Sequence, residues 1–197
     1  DLKSSGVENT KVFHLVGRES ANSEHPDSST FSLRFSELSP YAVQEILELT
    51  EAQQTRFFKA YDVAKIAMER CGIWPKSKED KAKVVELDDL ESGFPNMTLS
   101  HLLDVIVQIN AHVNKDENDP YLVTPEFNKK RSILKQIIGA ADIPSSVPSW
   151  RAIWGKLGRI KRLNIFDTGT ASALDYRQML KPGQVSILDL SDTDSPQ

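Results

Sequence analysis

The sequence predicts a mainly α-helical fold: a helical bundle with a few flanking β-strands. Apolar residues recur at the three- and four-residue spacing of helices through the middle of the chain. Short apolar runs typical of strands precede and follow this region. The 197 residues are 39% hydrophobic and 26% charged, a composition sufficient for a packed core. We therefore predict N-terminal strands and a loop in residues 1–38, the bundle in residues 39–166, and a C-terminal turn and strand in residues 167–197.

Two short strands are predicted before the bundle. Residues 11–17 form an apolar run that ends in glycine. Residues 18–30 are rich in Ser, Glu and Asp and include Pro26, which indicates a loop. Apolar and polar residues alternate through residues 31–35, as they do in a half-buried strand. These patterns predict a strand, a loop and a second strand in this order.

Two helices are predicted next. Ser39 and Pro40 lead into the first, because proline is favoured in the first turn of a helix. Thr50 and Gln53 form a capping box, in which each side chain satisfies an amide left free at the start of the second helix. Gly72 is well placed to end this long helix. The apolar stripes comprise Tyr41, Val43, Ile46 and Leu47 in the first helix, and Phe57, Phe58, Tyr61, Ala64, Ile66, Met68 and Cys71 in the second.

A charged segment separates these helices from two more. Residues 74–96 are irregular and rich in Lys, Glu and Asp, which predicts a solvated excursion with a short helical turn at most. Thr98 or Ser100 can cap the next helix. Thr124 followed by Pro125 is a strong start signal for the helix after it. The apolar faces comprise Leu102, Leu103, Val105, Ile106, Ile109 and Val113, and then Phe127, Ile133, Leu134, Ile137 and Ile138.

A last helix and a closing strand complete the predicted order. Ser146 or Ser149 begins the helix, residues 181–183 indicate a turn, and residues 185–190 read as a buried strand. We expect the strands at the two ends to lack enough partners for a sheet of their own. The helices would then form a bundle inserted into a larger α/β sheet. The stripe of the last helix comprises Trp150, Ile153, Trp154, Leu157, Ile160 and Leu163.

The motifs of phosphate binding are missing. No G-x-x-x-x-G-K-[ST] occurs, so no backbone cradle for phosphates is predicted. Gly155 and Gly158 lie in a helical stripe, where we interpret them as small residues that allow close contact between helices. The strand-like run that ends at Asp189 is similar to the strand that carries the Mg²⁺-binding Asp of ATPases. Because Leu190 stands where the second acid is expected, we interpret this run as structural.

The sequence also indicates no metal site of histidines and no reactive cysteine. The four histidines lack the spacing of zinc ligands. The single cysteine, Cys71, forms no internal disulfide, and it fits a small apolar position in a helix of a cytoplasmic protein. No apolar run resembles a signal peptide or a membrane span. We therefore predict no catalytic, cofactor-binding or metal-binding residue in this chain, and no membrane partner.

Basic residues cluster on the last two predicted helices. Each cluster shares its helix with an apolar stripe, so the charges are expected on the outer faces. If these faces adjoin, they form a surface that can contact DNA phosphates or a protein partner. The alternative is a solvated face balanced by the acids elsewhere, since the net charge is −4. The candidates are Lys129, Lys130, Arg131 and Lys135 on one helix, and Arg151, Lys156, Arg159, Lys161 and Arg162 on the other.

Four segments carry a resemblance to a known family. Residues 31–40 (FSLRFSELSP) and 46–53 (ILELTEAQ) are similar to the strand, turn and helix start that lead into a helical insertion. Residues 154–167 (WGKLGRIKRLNIFD) resemble the return segment, and residues 180–191 (LKPGQVSILDLS) the sheet strand just before an acidic strand. In this order they resemble HerA-type DNA-translocating ATPases of archaea and bacteria, relatives of FtsK.

The resemblance spans roughly residues 11–191, although residues 74–97 match nothing in the family. It implies a non-catalytic internal fragment, inserted in the α/β P-loop core of a hexameric ATPase that translocates or unwinds double-stranded DNA. The phosphate loop would precede Asp1, the acidic strand would follow Gln197, and ATP and Mg²⁺ would bind the parent protein only. The family's nucleotide-binding lysine, Mg²⁺-binding acids and arginine finger have no matching positions here.

The sequence therefore supports two alternative functions. In the first, the bundle is a module of the ATPase that packs between neighbouring subunits or presents its basic residues to DNA or a nuclease, and self-association is possible. In the second, the chain is a stand-alone helical module that binds a protein and has no enzymatic activity. The second function predicts a stable monomer whose strands pair with each other.

Overall fold

The structure is a computed structural model that describes residues 9–191, except for the side chains of Asp89 and Leu90. The chain divides into two compact units. The sheet unit lies within residues 1–33 and 164–197, and the helical unit comprises residues 34–163. Helices account for about 51% of the described residues, which also form one small parallel sheet, so the prediction of a mainly helical fold with a few flanking strands is confirmed.

The sheet unit contains three parallel strands and a short helix. The strands are β1 (Thr10–Leu15), β2 (Ser28–Phe31) and β3 (Val185–Asp189), and their order in the sheet is β2-β1-β3. Val12 lies opposite Ser28 on β2 and Ile187 on β3. The expectation that these strands lack partners is wrong, because residues more than 150 positions apart pair along β1. The short helix, α9, spans Tyr176–Met179 and precedes β3 in the chain.

One face of the sheet is packed. Phe13 and Leu15 of β1, Phe31 of β2 and Ile165 form its buried cluster. The predicted strand at residues 31–35 starts earlier than expected, at Ser28, and residues 35–37 form a 3₁₀ turn instead. Between β2 and this 3₁₀ turn the chain stays extended, because the amide of Leu33 donates to the carbonyl of Ile165 at 2.8 Å. Partly buried side chains that cover the cluster are Leu33, Phe166, Leu174 and Met179.

The helical unit is built around one long helix. The capping box is present, since the amide of Thr50 donates to the side-chain oxygen of Gln53 at 3.2 Å, and Gly72 ends the helix at φ +76°. This helix contacts most of the others, and its buried side chains include Phe57 and Met68. The helices are α1 (Pro40–Ile46), α2 (Glu51–Cys71), α3 (Lys78–Glu86), α4 (Asp89–Ser92), α5 (Leu99–Asn114), α6 (Pro125–Lys129), α7 (Arg131–Ala140) and α8 (Val147–Arg162).

The charged excursion is more ordered than predicted. Ser77 caps α3 through a hydrogen bond from the amide of Asp80 at 3.0 Å, so a nine-residue helix replaces the expected turn. The segment is held at both ends by the buried rings of Trp74 and Phe94, which pack edge to face at 5.1 Å. The hydroxyl of Tyr61 accepts a hydrogen bond from the amide of Phe94 at 2.6 Å. Aromatic packing that a charge pattern does not reveal therefore fixes this region.

The helix predicted to start at Thr124 is two helices. It breaks at Lys130, whose φ of −116° lies outside the helical range. The threonine hydroxyl makes no capping hydrogen bond. The buried carboxylate of Asp104 accepts the amides of Val123 at 2.9 Å and Thr124 at 2.7 Å. A side chain from α5 therefore holds the residues that lead into α6, and the local cap that the sequence predicts is not formed.

Candidate nucleic-acid interface

The nine basic candidates do not form one free surface. Lys130 lies between α6 and α7, and its Nζ donates to the carbonyl of Cys71 at 2.8 Å. This places a cation at the C-terminal end of α2, where free carbonyl groups carry partial negative charge. Burial raises the pKa of the Cys71 thiol, an effect that the charge of Lys130 partly offsets. Lys130 therefore stabilises the fold, and Cys71 is a buried helix residue.

Arg131 and Lys135 are also engaged within the helical unit. Arg131 donates to the carbonyl of Pro120 at 2.6 Å and to the side-chain oxygen of Asn128 at 2.5 Å. Lys135 pairs with Asp119 at 2.5 Å, and this contact holds the pKa of the Asp119 carboxyl below its usual value. Both cations fasten the segment between α5 and α6, so they are not placed to receive phosphates.

Two basic residues of α8 have partners as well. Lys156 donates to the carbonyls of Leu47 at 2.8 Å and Glu48 at 2.7 Å, which ties α8 to the end of α1. Lys161 donates to the hydroxyl of Ser100 at 3.0 Å, near the start of α5. These lysines orient α8 within the helical unit.

Four candidates are exposed and unpaired. Their side chains make no hydrogen bond or ion pair with any residue from 9 to 191, and all four residues are exposed. Three of them share α8, a helix that carries five basic residues and no acidic one. The structure thus reduces the predicted basic surface to Lys129, Arg151, Arg159 and Arg162.

The three free arginines lie on one side of α8. At 3.6 residues per turn, Arg151, Arg159 and Arg162 fall within an arc of roughly 80°. The fully buried residues Trp150 and Ile153 point the other way, into the core. At 1.5 Å per residue, the first and last arginines are about 16 Å apart along the helix axis. A row of cations with this spacing can contact several phosphates of one nucleic-acid strand.

Two glycines lie between these arginines. A Cβ atom added to Gly155 would meet nothing within 4 Å, and one added to Gly158 would meet only the guanidinium of Arg162, at 4.0 Å. The expectation that they allow close contact with another helix of this chain is therefore wrong. They instead leave the backbone of α8 open to solvent between the arginines.

Trp154 lies beside the same row. It lies at the edge of the predicted buried stripe, about 40° around the helix from buried Trp150 and about 60° from Arg151, and 49% of its surface is exposed. Leu163 of that stripe is also exposed, at 45%. Trp154 borders a groove of about 380 Å³ that Val107, Ala111 and Pro120 also line. We define the α8 outer face as Arg151, Trp154, Gly155, Gly158, Arg159 and Arg162.

Angles on the helix separate the three arginines from the core, but they do not settle whether Trp154 is buried. Trp154 lies between buried Trp150 and exposed Arg151 in angle, so its exposure depends on how α8 packs. The sequence does not distinguish the free arginines from Lys156, whose partner lies at the end of α1. Only the fold separates the engaged cations from the free ones.

Asp189, at the end of β3, has a structural role. Its carboxylate accepts hydrogen bonds from the hydroxyls of Ser20 and Ser191, both at 2.6 Å, and from the side-chain amide of Asn22 at 3.0 Å. These bonds hold the pKa of Asp189 far below its usual value. The carboxylate therefore fastens the loop after β1 to the end of β3.

The described residues offer few other sites. Between residues 9 and 191, no group of three or more His, Cys, Asp or Glu side chains is arranged to hold a metal ion. None of the helices in this range is both long enough and apolar enough to cross a membrane. Thr98 caps α5, since its hydroxyl accepts the amide of His101 at 3.2 Å, and the Nδ1 of His101 accepts the amide of Thr98 at 3.0 Å.

Comparison with known proteins adds no relative. No family model, curated protein or solved structure matches this chain. The resemblance to HerA-type ATPases therefore stays a prediction from the sequence, and the α8 outer face is the feature from which a function is argued.

Proposed function

We propose that this chain is a non-catalytic helical module of a hexameric ATPase that translocates or unwinds double-stranded DNA, and that its α8 outer face contacts DNA phosphates. The observation that carries the proposal is the row of Arg151, Arg159 and Arg162, which are exposed and have no partner among residues 9–191, on a helix without acidic residues. Guanidinium groups bind phosphate oxygens through paired donors and remain charged at any physiological pH. Their contact with DNA releases counterions, which supplies most of non-specific binding.

The sheet unit supports the first part of the proposal. Val185, Ile187 and Leu188 of β3 are 42%, 38% and 42% exposed, although β3 belongs to a parallel sheet. Parallel sheets in globular proteins are usually covered on both faces and extended by further strands. An edge strand with exposed apolar side chains is therefore what an inserted segment of a larger α/β core would have. ATP and Mg²⁺ would bind the remainder of that core, where neighbouring subunits or a nuclease would also dock.

DNA binding by the purified chain is the direct test. Duplex DNA binding should be measured by fluorescence anisotropy over a series of salt concentrations. Arg159→Glu combined with Arg162→Glu should weaken binding and reduce the salt slope by about 1.8, because each lost phosphate contact removes about 0.9. Arg70→Glu combined with Lys83→Glu makes the same charge change at exposed positions on α2 and α3, and should have a much smaller effect. Equal effects of the two pairs, or no binding by the original chain, would refute the contact.

Nucleotide binding tests the assignment as a non-catalytic module. Calorimetry with Mg²⁺-ATP should show no binding heat for this chain, because it has no phosphate-binding loop. Clear binding by residues 1–197 alone would contradict the proposal. The gene supplies a second test, in which a G-x-x-x-x-G-K-[ST] encoded before Asp1 and an apolar strand ending in Asp-Glu encoded after Gln197 are expected.

A stand-alone protein-binding module is the second candidate function. Its supporting observation is that β1, β2 and β3 pair with each other in one sheet, as this function predicts. The groove beside Trp154 would then receive an apolar side chain of the partner, since Trp and Arg are enriched where binding energy concentrates. A gene that encodes only this unit, together with a chain that binds no DNA, would favour this function over the ATPase module.

A further inference from the structure

We infer that the α8 outer face binds single-stranded DNA in preference to duplex DNA, with a base stacked on Trp154 and the backbone on the arginine row. This inference rests on the proposed DNA contact and names the form of DNA that the same surface takes. A positively charged track combined with an exposed aromatic ring is the arrangement with which proteins bind single strands without sequence preference.

The neighbours of Trp154 leave its ring accessible. On a helix, a side chain meets those three and four positions away, which for the outward side of Trp154 are Arg151 and Gly158. Gly158 has no side chain, and Gly155 beside it would have open space around an added Cβ. A flat base can therefore approach the exposed part of the indole past Gly155, and the side chain nearest to Gly158 is the flexible guanidinium of Arg162.

The two glycines have no other explanation within the described part of the chain. Glycine in the interior of a helix lowers its stability relative to alanine. No close neighbour requires a missing side chain at Gly155, since nothing lies within 4 Å of its added Cβ. Glycine is, however, the residue used where a ligand or another backbone must come close. Both glycines lie on the face that bears the free arginines, so the ligand would contact that face.

The charges define the path of the strand. Arg151 lies about 4.5 Å before Trp154 along the axis, and Arg159 and Arg162 lie about 7.5 Å and 12 Å after it. A base stacked on the ring would thus have phosphates held on either side. Of the residues that line the groove, Asp116 carries the one carboxylate, and it would repel phosphates toward Arg159 and Arg162. The base would enter on the groove side while the backbone follows the arginine row.

Duplex DNA fits this surface less well. Its bases are already stacked inside the helix, so a duplex offers phosphates to the arginines but no free base face to Trp154. A single strand offers both. We therefore expect the ring to contribute to single-strand binding alone, whereas the arginines contribute to both forms.

The test compares a labelled oligothymidine with a duplex of equal length by fluorescence anisotropy. The original chain should bind the single strand at least about fivefold more tightly than the duplex, the lower end of what stacking one base contributes. Trp154→Ala should weaken single-strand binding about fivefold to 150-fold and leave duplex binding unchanged. Trp154→Phe should retain most of the affinity, because the smaller ring still stacks. Far-ultraviolet circular dichroism checks that each variant is folded.

The outcomes separate the inference from the proposed function. Duplex binding as tight as single-strand binding, with Trp154→Ala equal to the original chain in both, would overturn the stacking inference and leave the DNA contact standing. Binding of neither form of DNA would overturn both. As an independent readout, oligothymidine should quench tryptophan emission in the original chain and not in Trp154→Phe, whose remaining Trp74 and Trp150 are buried.

Discussion

The Nζ atom of Lys156 on α8 lies 2.8 Å from the carbonyl oxygen of Leu47, the residue that ends α1. The last carbonyls of a helix have no partner within the helix, so a lysine there satisfies them and complements the helix dipole. Arg159, one turn further along α8, is exposed and has no partner among the described residues. Adjacent turns of one helix thus carry a cation that stabilises the fold and a cation that is available to a ligand.

Replacing Lys156 with Met should lower the free energy of unfolding by about 1–2 kcal/mol, because two hydrogen bonds from a charged donor are lost at a half-buried site. Arg159→Met is the matched control, the same kind of change at an unpaired position, and should stay within about 0.5 kcal/mol of the original chain. Urea unfolding followed by circular dichroism measures both. Similar losses of unfolding free energy in the two variants would contradict the distinction between Lys156, which stabilises the fold, and Arg159, which does not.

Asp104 should be the residue that holds the start of α6. Asp104→Ala leaves the amides of Val123 and Thr124 without their acceptor, so we expect a loss of about 3 kcal/mol in unfolding free energy. Thr124→Val removes a buried hydroxyl that has no hydrogen-bond partner in the described chain, and should be close to neutral. If the threonine variant were the less stable of the two in urea unfolding, the local cap predicted by the sequence would be correct after all.

Asp189 should make the sheet unit sensitive to acid. Its folded pKa lies far below the usual 3.8, so on acidification the unfolded chain takes up a proton before the folded chain does. The contribution of this carboxylate is therefore complete above about pH 4 and is lost as the pH falls below that value. Asp189→Asn should be less stable than the original chain near neutral pH and should lose less stability on acidification. Urea unfolding at a series of pH values measures how the free energy of unfolding changes with pH. If Asp189→Asn leaves this pH dependence unchanged, the role assigned to Asp189 is contradicted.

Local signals were enough to predict much of the helical unit. Helix α2 follows from Thr50, Gln53 and Gly72, because capping depends on residues within one turn of each helix end. The break between α6 and α7 was missed, since it occurs at Lys130, whose side chain reaches the carbonyl of Cys71 on another helix. Contacts between elements thus changed the boundaries that local patterns suggested.

Long-range pairing was the harder part of the prediction. The pairing of Val12 with Ile187 joins residues 175 positions apart, and nothing in either strand's composition specifies the other. The candidate site shows the same limit, because Arg131 and Arg159 have the same side chain but only Arg131 meets a carbonyl from a loop. Trp154 shows this limit too, since its angle on α8 lies between buried Trp150 and exposed Arg151, and only the packing of the helix leaves its ring exposed.

The salt dependence of DNA binding tests the central claim most directly. Neutralising the α8 outer face with Arg151→Gln, Arg159→Gln and Arg162→Gln should reduce the slope of log Kd against log salt by about 2 for a single strand and by about 3 for a duplex. A control with Arg70→Gln, Lys83→Gln and Arg177→Gln changes the net charge equally at exposed positions elsewhere, and should keep most of the slope. If both triple variants lose the same slope, or if the original chain binds no DNA, the α8 outer face is not a DNA-binding surface.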